Sequence, residues 1–482
     1  MRKSKEQKTV LVSGHFNVIH PGHLRLLRFA RECGTHLIVA VESDQLAGDA
    51  AYVPQDLRLE GVMSNSFVDD AFIIDVPVSE IVERLRPDIV VMGKEHEGKH
   101  VPELEVLKSY GGKLLFSSGE AMFSSFDLIR REFSELDLQS IRLPTDFMKR
   151  HRIDPDALLE VLRQFKQLKV VVIGDLIVDE YITCQPLGMS QEEPTIVVTP
   201  LDSVKFVGGA GIVAAHAAGL GAQVTLLSVV GLDAAGGFCR DSLESLNVGT
   251  TLLVDPMRPT TLKQRYRSKG KSLLRVSHLH QGAIPADLQL RMLEEFDRIV
   301  ETADLVVFSD FNYGCLPQML VDQVIAVARQ HGLLMAADSQ SSSQVGDISR
   351  FKGMDLITPT EREARISIKN QEDGLVILAE SLRQQASARN VLLKMGEEGF
   401  LIHADEGDAG KFQTDQVPAL NAHPKDVAGA GDSLLITSAM ALASGANIWQ
   451  ASCLGSLVAA IQVGRVGNTP VLDSEVAGEL TG

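Results

Sequence analysis

Cysteine is sparse in this chain of 482 residues: five, at Cys33, Cys184, Cys239, Cys315 and Cys453, with no CxxC pair. Such spacing offers no disulfide framework and leads one to expect buried, reduced thiols in a cytoplasmic protein. Uninterrupted apolar runs of membrane-spanning length are absent. The Ala- and Leu-rich region from Leu434 to Gly464 is broken by Ser, Asn, Gln and Gly and is expected as paired buried helices. Met1 to Lys8 is polar and basic without an apolar core, so no secretory leader is expected. Positive charge is in deficit, 46 Lys and Arg against 63 Asp and Glu, a net charge of −17. A surplus of negative charge argues against general nucleic-acid binding but not against small anions held in a local cationic pocket. Repeats and low-complexity runs are also missing.

What is present is a globular composition, 45% hydrophobic and 23% charged, with 40 glycines. That length exceeds one ordinary core and argues for at least two domains. The glycines suit an α/β protein with many tight strand-to-helix turns. Strand patterns at Thr9–Val12, His36–Val41, Asp70–Ile74, Ile89–Met92 and Lys113–Phe116 alternate with helix patterns at Gly22–Glu32, Asp56–Ser64, Val78–Leu85 and Pro102–Tyr110. This rhythm predicts a small doubly wound parallel sheet over residues 1–140. Residues 141–152 lack an apolar period and read as a linker. A second unit, 153–482, opens with helical spacing from Pro155 to Leu168 and the strand Lys169–Ile173. Alternation continues at Val224–Val230, Leu305–Ser309, Leu333–Ala337, Leu356–Thr358 and Asn390–Lys394. Two β-rich stretches without helices, Tyr181–Val207 and Thr260–Val276, are expected to pair as a small lid sheet over the cleft.

Two stretches carry chemistry. In Gly14-His15-Phe16-Asn17-Val18-Ile19-His20-Pro21-Gly22-His23, two histidines sit where a buried strand gives way to a helix start. Free N–H groups and the helix dipole point at a bound phosphate there. Nucleotidyl transfer needs positioning and charge neutralisation, which His20 and His23 could supply with Lys94 and Ser124-Ser125 on later loops. One histidine alone would more often be a surface or core residue. The second stretch is Gly429-Ala430-Gly431-Asp432 ahead of the helix from Ser433. Small residues let backbone N–H groups approach a transferring phosphoryl, and the Asp can take a proton from an attacking hydroxyl. A plain helix cap is the bland alternative. Gly208-Gly209-Ala210-Gly211 and Lys394-Met395-Gly396-Glu397-Glu398-Gly399 are further glycine turns at element ends.

Residues Gly14 to His23 resemble the G-x-F-D-x-x-H-x-G-H motif of the cytidylyltransferase-like nucleotidyltransferases, and Phe123-Ser124-Ser125 resembles that family's Ser/Thr-rich triphosphate motif. The resemblance spans residues 8 to 135 and implies nucleotide contacts at Gly14, Phe16, Asn17, Arg58, Lys94, Ser124 and Ser125, with His20 and His23 catalytic. Asn17 stands where the family has Asp, and His15 is unusual.

The glycine turns together resemble the ribokinase-like PfkB sugar kinases over residues 168 to 470. That resemblance implies Asp432 as general base and Gly429, Ala430 and Gly431 as anion hole. It puts Asp175, Asp179, Gly208, Gly209 and Arg275 on the sugar side, and Lys394, Gly396 and Gly399 on the ATP side. Glu363 takes the magnesium-linked acidic position. Mg²⁺ and ATP follow, and a monovalent cation is allowed. Gly174-Asp175…Asp179-Glu180-Tyr181, Ser309-Asp310-Phe311 and Asp426 to Asp432 look like the heptose-phosphate kinases of ADP-heptose synthesis, here with the domain order reversed. Ile212, Thr360 and Gln340 replace the usual Asn, Asn and Lys.

The sequence thus predicts a Rossmann-like nucleotidyltransferase domain followed by a ribokinase-like α/β domain with a small β lid. The expected protein is a cytoplasmic homodimer acting on sugar phosphates and NTPs to make a nucleotide-activated sugar, ADP-heptose or a relative, with no nucleic-acid or membrane partner. Two alternatives stand beside it. One is a PfkB-type sugar or nucleoside kinase whose N-terminal domain has decayed to a regulatory nucleotide-binding module. The other is a nucleotide-sensing scaffold, against which the intact Gly-Ala-Gly-Asp run speaks.

Overall fold

The computed structural model describes residues 8–17, 19, 21–93, 101–116, 141–190, 193, 195–268, 271–341, 345–405 and 412–481. It divides into two compact units, residues 1–138 with 370–378, and residues 139–369 with 379–482. In the first, β1 (Thr9–Gly14), β2 (His36–Glu42), β3 (Asp70–Ile74), β4 (Ile89–Met92) and β5 (Lys113–Phe116) form a parallel sheet in the order β3-β2-β1-β4-β5. Val10, Leu11 and Val12 are fully buried although consecutive residues face opposite sides. A strand covered on both faces needs that continuous apolar run. The order reverses between β1 and β4, so the crevice for a ligand opens at the carboxyl end of β1. The histidine motif leads there into the helix Pro21–Cys33.

Among the described residues the second unit holds a nine-stranded sheet. In chain order it uses β6 (Lys169–Gly174), β9 (Gln223–Val230), β10 (Gly249–Val254), β13 (Leu305–Asp310), β14 (Leu334–Ser339), β15 (Leu356–Ile357), β16 (Asn390–Lys394), β17 (Phe400–Asp405) and β18 (Phe412–Val417). The order is β10-β9-β6-β13-β14-β15-β16-β17-β18, parallel up to β16 and antiparallel beyond. The last two strands were not expected from sequence, because a β-hairpin appended to a βα series breaks its rhythm. Helices Ala430–Ala443 and Ile448–Val463 are buried almost all round, as their broken apolar composition implied. The lid is a separate four-stranded sheet, β12-β11-β7-β8, made of β7 (Leu176–Met189), β8 (Ile196–Gly209), β11 (Thr261–Ser268) and β12 (Lys271–His278).

Residues 141–152, read as a linker, are part of the second unit's core. Ile141 bridges Asn421, and Arg142 N–H donates to Leu420 O at 3.0 Å. A short helix, Thr145–Arg150, buries Phe147 and Met148. Arg150 grips Asp415 with two hydrogen bonds of 2.9 Å, and the His151 ring stacks on Trp449 at 4.0 Å between centroids. Two apolar anchors on six residues are too few to show a helical period, so the segment looked structureless.

Candidate functional sites

The crevice at the end of β1 is held by polar side chains aimed at backbone. The Asn17 amide donates to Ala50 O at 2.7 Å, and its Oδ1 accepts from Tyr52 N–H at 2.8 Å and Val53 N–H at 3.3 Å. Asp could not make the first of these bonds, having no donor. The departure from the family motif therefore has a structural reason: Asn17 pins the loop after β2. Arg58, expected at the nucleotide, is instead fully buried. It donates to Val53 O (2.7 Å), His15 O (2.6 Å) and Asp44 Oδ1 (2.6 Å), a clamp across three loops. His23 lies in the first turn of Pro21–Cys33, its ring 5.0 Å from that of buried Phe16, which takes a left-handed φ of 50°. His20, Lys94, Ser124 and Ser125 lie outside the described residues. Asn17→Asp should set a carboxylate oxygen against Ala50 O and destabilise the first unit by about 1 kcal/mol. Faster amide exchange at Tyr52 and Val53 is the readout, and unchanged exchange would contradict the latch.

The second site forms where the helix Ala430–Ala443 begins, at the carboxyl ends of β6, β14 and β16. Gly429 caps that helix with φ 77°, a backbone that strains any other residue, and a Cβ there would lie 2.9 Å from Asn468 Oδ1. The first N–H groups of a helix have no partner inside it and face outward. Asp432, in the first turn, is buried and accepts from Gln340 Nε2 at 3.1 Å. Burial and then the Asp338 charge push its carboxyl up to about 7, with Lys394 opposing. A group of that affinity can change protonation state near neutral pH, as a general base must. Lys394 Nζ holds both oxygens of Asp338, at 2.9 and 3.0 Å. Burial works against its charge, but Asp338, Glu363 and Asp432 outweigh that and keep it protonated.

The lid supplies cations. Strand β11 runs beside β7 with Lys263 opposite Asp179 and Arg265 opposite Tyr181, while Arg275 of β12 pairs with Arg265. Alternate residues of a strand share a face, so Lys263, Arg265 and Arg267 form a basic ladder. Arg265 donates to the Tyr181 hydroxyl at 3.2 Å and to Asp179 Oδ1 at 3.5 Å. Lys263 Nζ sits 5.0 Å from the ring centres of Phe311 and Tyr313. Asp179 also accepts from Asn468 Nδ2 at 3.1 Å, which links the lid to the Gly429 loop. Burial raises the Asp179 carboxyl, while Arg265 and Lys263 pull against it.

Of the residues expected here, Asp179, Gly208, Asp432, the Gly429–Gly431 loop and Lys394 converge. Gly209 starts the helix that follows β8, and Ile212 is buried in that helix. Arg275 is exposed on β12. Gly396 and Gly399 make the tight turn between β16 and β17. Asp175 is buried, with its carboxylate turned to backbone. Its carboxylate accepts from Phe311, Tyr313 and Cys315 N–H at 2.8, 3.2 and 3.1 Å, and so shapes the loop after β13. Glu363 is likewise spent on backbone, accepting from Ser341 N–H at 2.9 Å and Thr360 N–H at 2.8 Å. Reading the sequence missed Lys263, Arg265, Arg267, Asp338 and Asn468. The alternation Lys263-Gln264-Arg265-Tyr266-Arg267 is a legible signal for the first three. Nothing in the sequence marks Asn468, which reaches the site from near the far end of the chain.

Known proteins match both units. The cytidylyltransferase-like family model matches residues 11–109. The bifunctional protein HldE of Helicobacter hepaticus is 30% identical over 318 residues, covering 64% of this chain and 63% of that protein. That of Caulobacter vibrioides is 32% identical over 328 residues, covering 67% and 65%. The chain thus spans a little under two thirds of the length of these relatives. Among solved structures, phosphofructokinase-2 of Escherichia coli with substrates and products superposes with a TM-score of 0.54 at 18% identity, covering 65% of this chain and all (100%) of that one. Ribokinase of Arabidopsis thaliana with ribose and ATP gives 0.52 at 18%, covering 65% and 99%. Those two likenesses concern the fold alone. The model of the pfkB family carbohydrate kinases matches residues 167–474, which contain the Gly429–Asp432 loop, the lid and every residue of the second site, and so the chain belongs to that family.

Proposed function

We propose that the second unit phosphorylates a sugar that already carries a phosphate, with ATP as donor. We further propose that the first unit couples a sugar 1-phosphate to a nucleotide and releases pyrophosphate. The product would be a nucleotide-activated sugar, ADP-heptose or a relative. The observation that carries this reading is the placement of Asp432, buried at the start of its helix, beneath a lid with Lys263, Arg265, Arg267 and Arg275 on it. In the transfer, the acceptor hydroxyl oxygen bonds to the γ-phosphorus and its proton passes to Asp432. The bond to the bridging oxygen breaks, and that electron pair leaves on ADP.

ATP is taken as its Mg²⁺ complex. Glu363, the magnesium-linked position by resemblance, accepts one backbone N–H on each oxygen, which fixes its carboxylate in place. The metal is taken here as part of the substrate, and no step is routed through a resident site. We place the enzyme in the cytoplasm; no helix among the described residues is long and apolar enough to cross a membrane. Exposed Leu187, Met189, Ile196 and Leu201 on the lid hairpin support the homodimer, for which sedimentation velocity is the check.

The test is a panel of free sugars, their phosphates and all four NTPs on the whole protein, with ADP and pyrophosphate measured separately. Arg265→Ala and Arg275→Ala should each raise KM for the phosphosugar ~10–100-fold, the scale of a charge-assisted hydrogen bond, and leave KM for ATP unchanged. Preference for free sugars would sink the phosphosugar reading. Because Asn17 is engaged with backbone and Arg58 with backbone and Asp44, a regulatory N-terminal unit remains the second reading. Pyrophosphate release that disappears in His23→Ala excludes it.

A further inference from the structure

Lys394 lies beside the glycine loop. Its Nζ is 3.1 Å from where a Cβ on Gly431 would sit, so the end of that loop and the ammonium are close neighbours. Only an absent side chain leaves that room. Lys394 ends β16, tied by its own N–H to Pro359 O at 2.7 Å, and its stem reaches across to β14, where Asp338 receives it with both oxygens. Asp338 is itself almost wholly buried. An ion pair so enclosed is a poor stabilising device, because the desolvation of both charges offsets their attraction. Its location against the loop gives it a different use.

Resting on the kinase reading above, we propose that Lys394 is a catalytic residue whose ammonium contacts the transferring phosphoryl held by the Gly429–Gly431 loop, and that Asp338 is the positioning residue that aims it. Two of the three ammonium protons are spent on Asp338, which leaves one for the phosphoryl oxygens. The ground-state γ-phosphate and the transition state both meet this charge. ADP, which ends at the β-phosphate, does not. Lys394 is therefore a sensor of the third phosphate as well as a stabiliser of its transfer.

The full-length protein tests this by calorimetric titration with Mg²⁺ and either ADP or β,γ-imido-ATP. The variant is Asp338→Asn/Lys394→Met, which removes the charge without stranding a buried carboxylate. Melting curves certify its fold. We expect ADP affinity within ~3-fold of wild type, loss of at least ~10-fold in the preference for imido-ATP over ADP, and heptose-phosphate turnover down ~10²–10³-fold, as for one oxyanion-hole donor. If that variant does not fold, Gln340→Lys/Lys394→Met is used. The Gln340 amide already reaches Asp432, so a lysine there returns a cation to the pocket and should restore part of the imido-ATP preference lost in Lys394→Met. A folded variant that keeps the preference overturns the assignment. So does one that loses both nucleotides equally, which would place Lys394 on the rest of the nucleotide. A wild type that binds neither nucleotide overturns the kinase reading itself, and this assignment with it.

Discussion

Asp432→Asn should lower kinase turnover by ~10²–10⁴-fold, the usual contribution of a general base, with ATP affinity little changed. Wild-type turnover should rise with pH and level off above about 7, because the ionised carboxylate is the active form and burial holds its affinity for protons at about 7. The same substitution should raise the melting temperature at pH 8. A carboxyl starting from 3.8 and raised to about 7 binds protons more tightly in the folded than in the unfolded chain. The stability linked to it is complete at low pH and is lost as pH climbs through about 7. At pH 8 the buried charge is a burden, which Asn relieves while still accepting from Gln340. The gap in melting temperature between variant and wild type should widen from pH 5 to pH 8, reaching upwards of ~2 °C. Unchanged turnover would remove Asp432 from the chemistry. A variant that melts lower at pH 8 would show that the carboxylate is compensated by its neighbours.

Such a trade of stability for reactivity fits the way the second site is made. Asp179, Asp338 and Asp432 are buried carboxyls in one cleft, opposed by Lys394 from the sheet and by Lys263 and Arg265 from the lid. Burial pushes Asp338 up to about 6, against the pull of Lys394. A cleft so provided gains most from a ligand that brings its own negative charge to the cations and a hydroxyl proton to the base. The proposed phosphosugar with ATP would satisfy both demands.

The parts of the fold that were legible in sequence share one property: their pattern is local. Val10–Val12 and Val170–Ile173 announce buried parallel strands through uninterrupted apolar runs. The lid appeared as two β-rich stretches without a helix, and the structure pairs them through β7 and β11. Gly429 to Asp432 was legible because a glycine turn and an acid before a helix are adjacent in the chain. What escaped was set by contacts between distant residues. Asp175 and Arg58 have the residue types of a binding site, yet each is engaged inside the protein: Asp175 by backbone donors as far as 136 residues away at Phe311, and Arg58 by two backbone carbonyls and Asp44. Asn17 looked like a weakened catalytic position and is a latch. No periodicity reports which way a single polar side chain turns.

The largest stability effect belongs to the segment that looked like a linker. Residues 141–482 should fold, and residues 153–482, lacking only twelve residues at the start, should not. Deleting 141–152 strips Phe147, at 2% exposure, and Met148, at 6%, out of the core cluster that also contains Leu158, Leu162 and Leu420. Losing a buried Phe or Met side chain costs about 2–5 kcal/mol each. The pair approaches the whole stability of an ordinary domain, about 5–15 kcal/mol. The deletion also leaves Asp415, half-buried and held below the usual carboxylate range by burial-resisting bonds from Arg150 and His151, without either partner. Trp449 loses the ring stacked on it. Phe147→Ala in the longer fragment should reproduce part of the loss and localise it to this helix. Circular dichroism melts of the three proteins decide the matter. Equal melting of 141–482 and 153–482 would mean that the helix Thr145–Arg150 merely rests on the unit, and that a cut anywhere from 141 to 152 separates it cleanly from the chain before it.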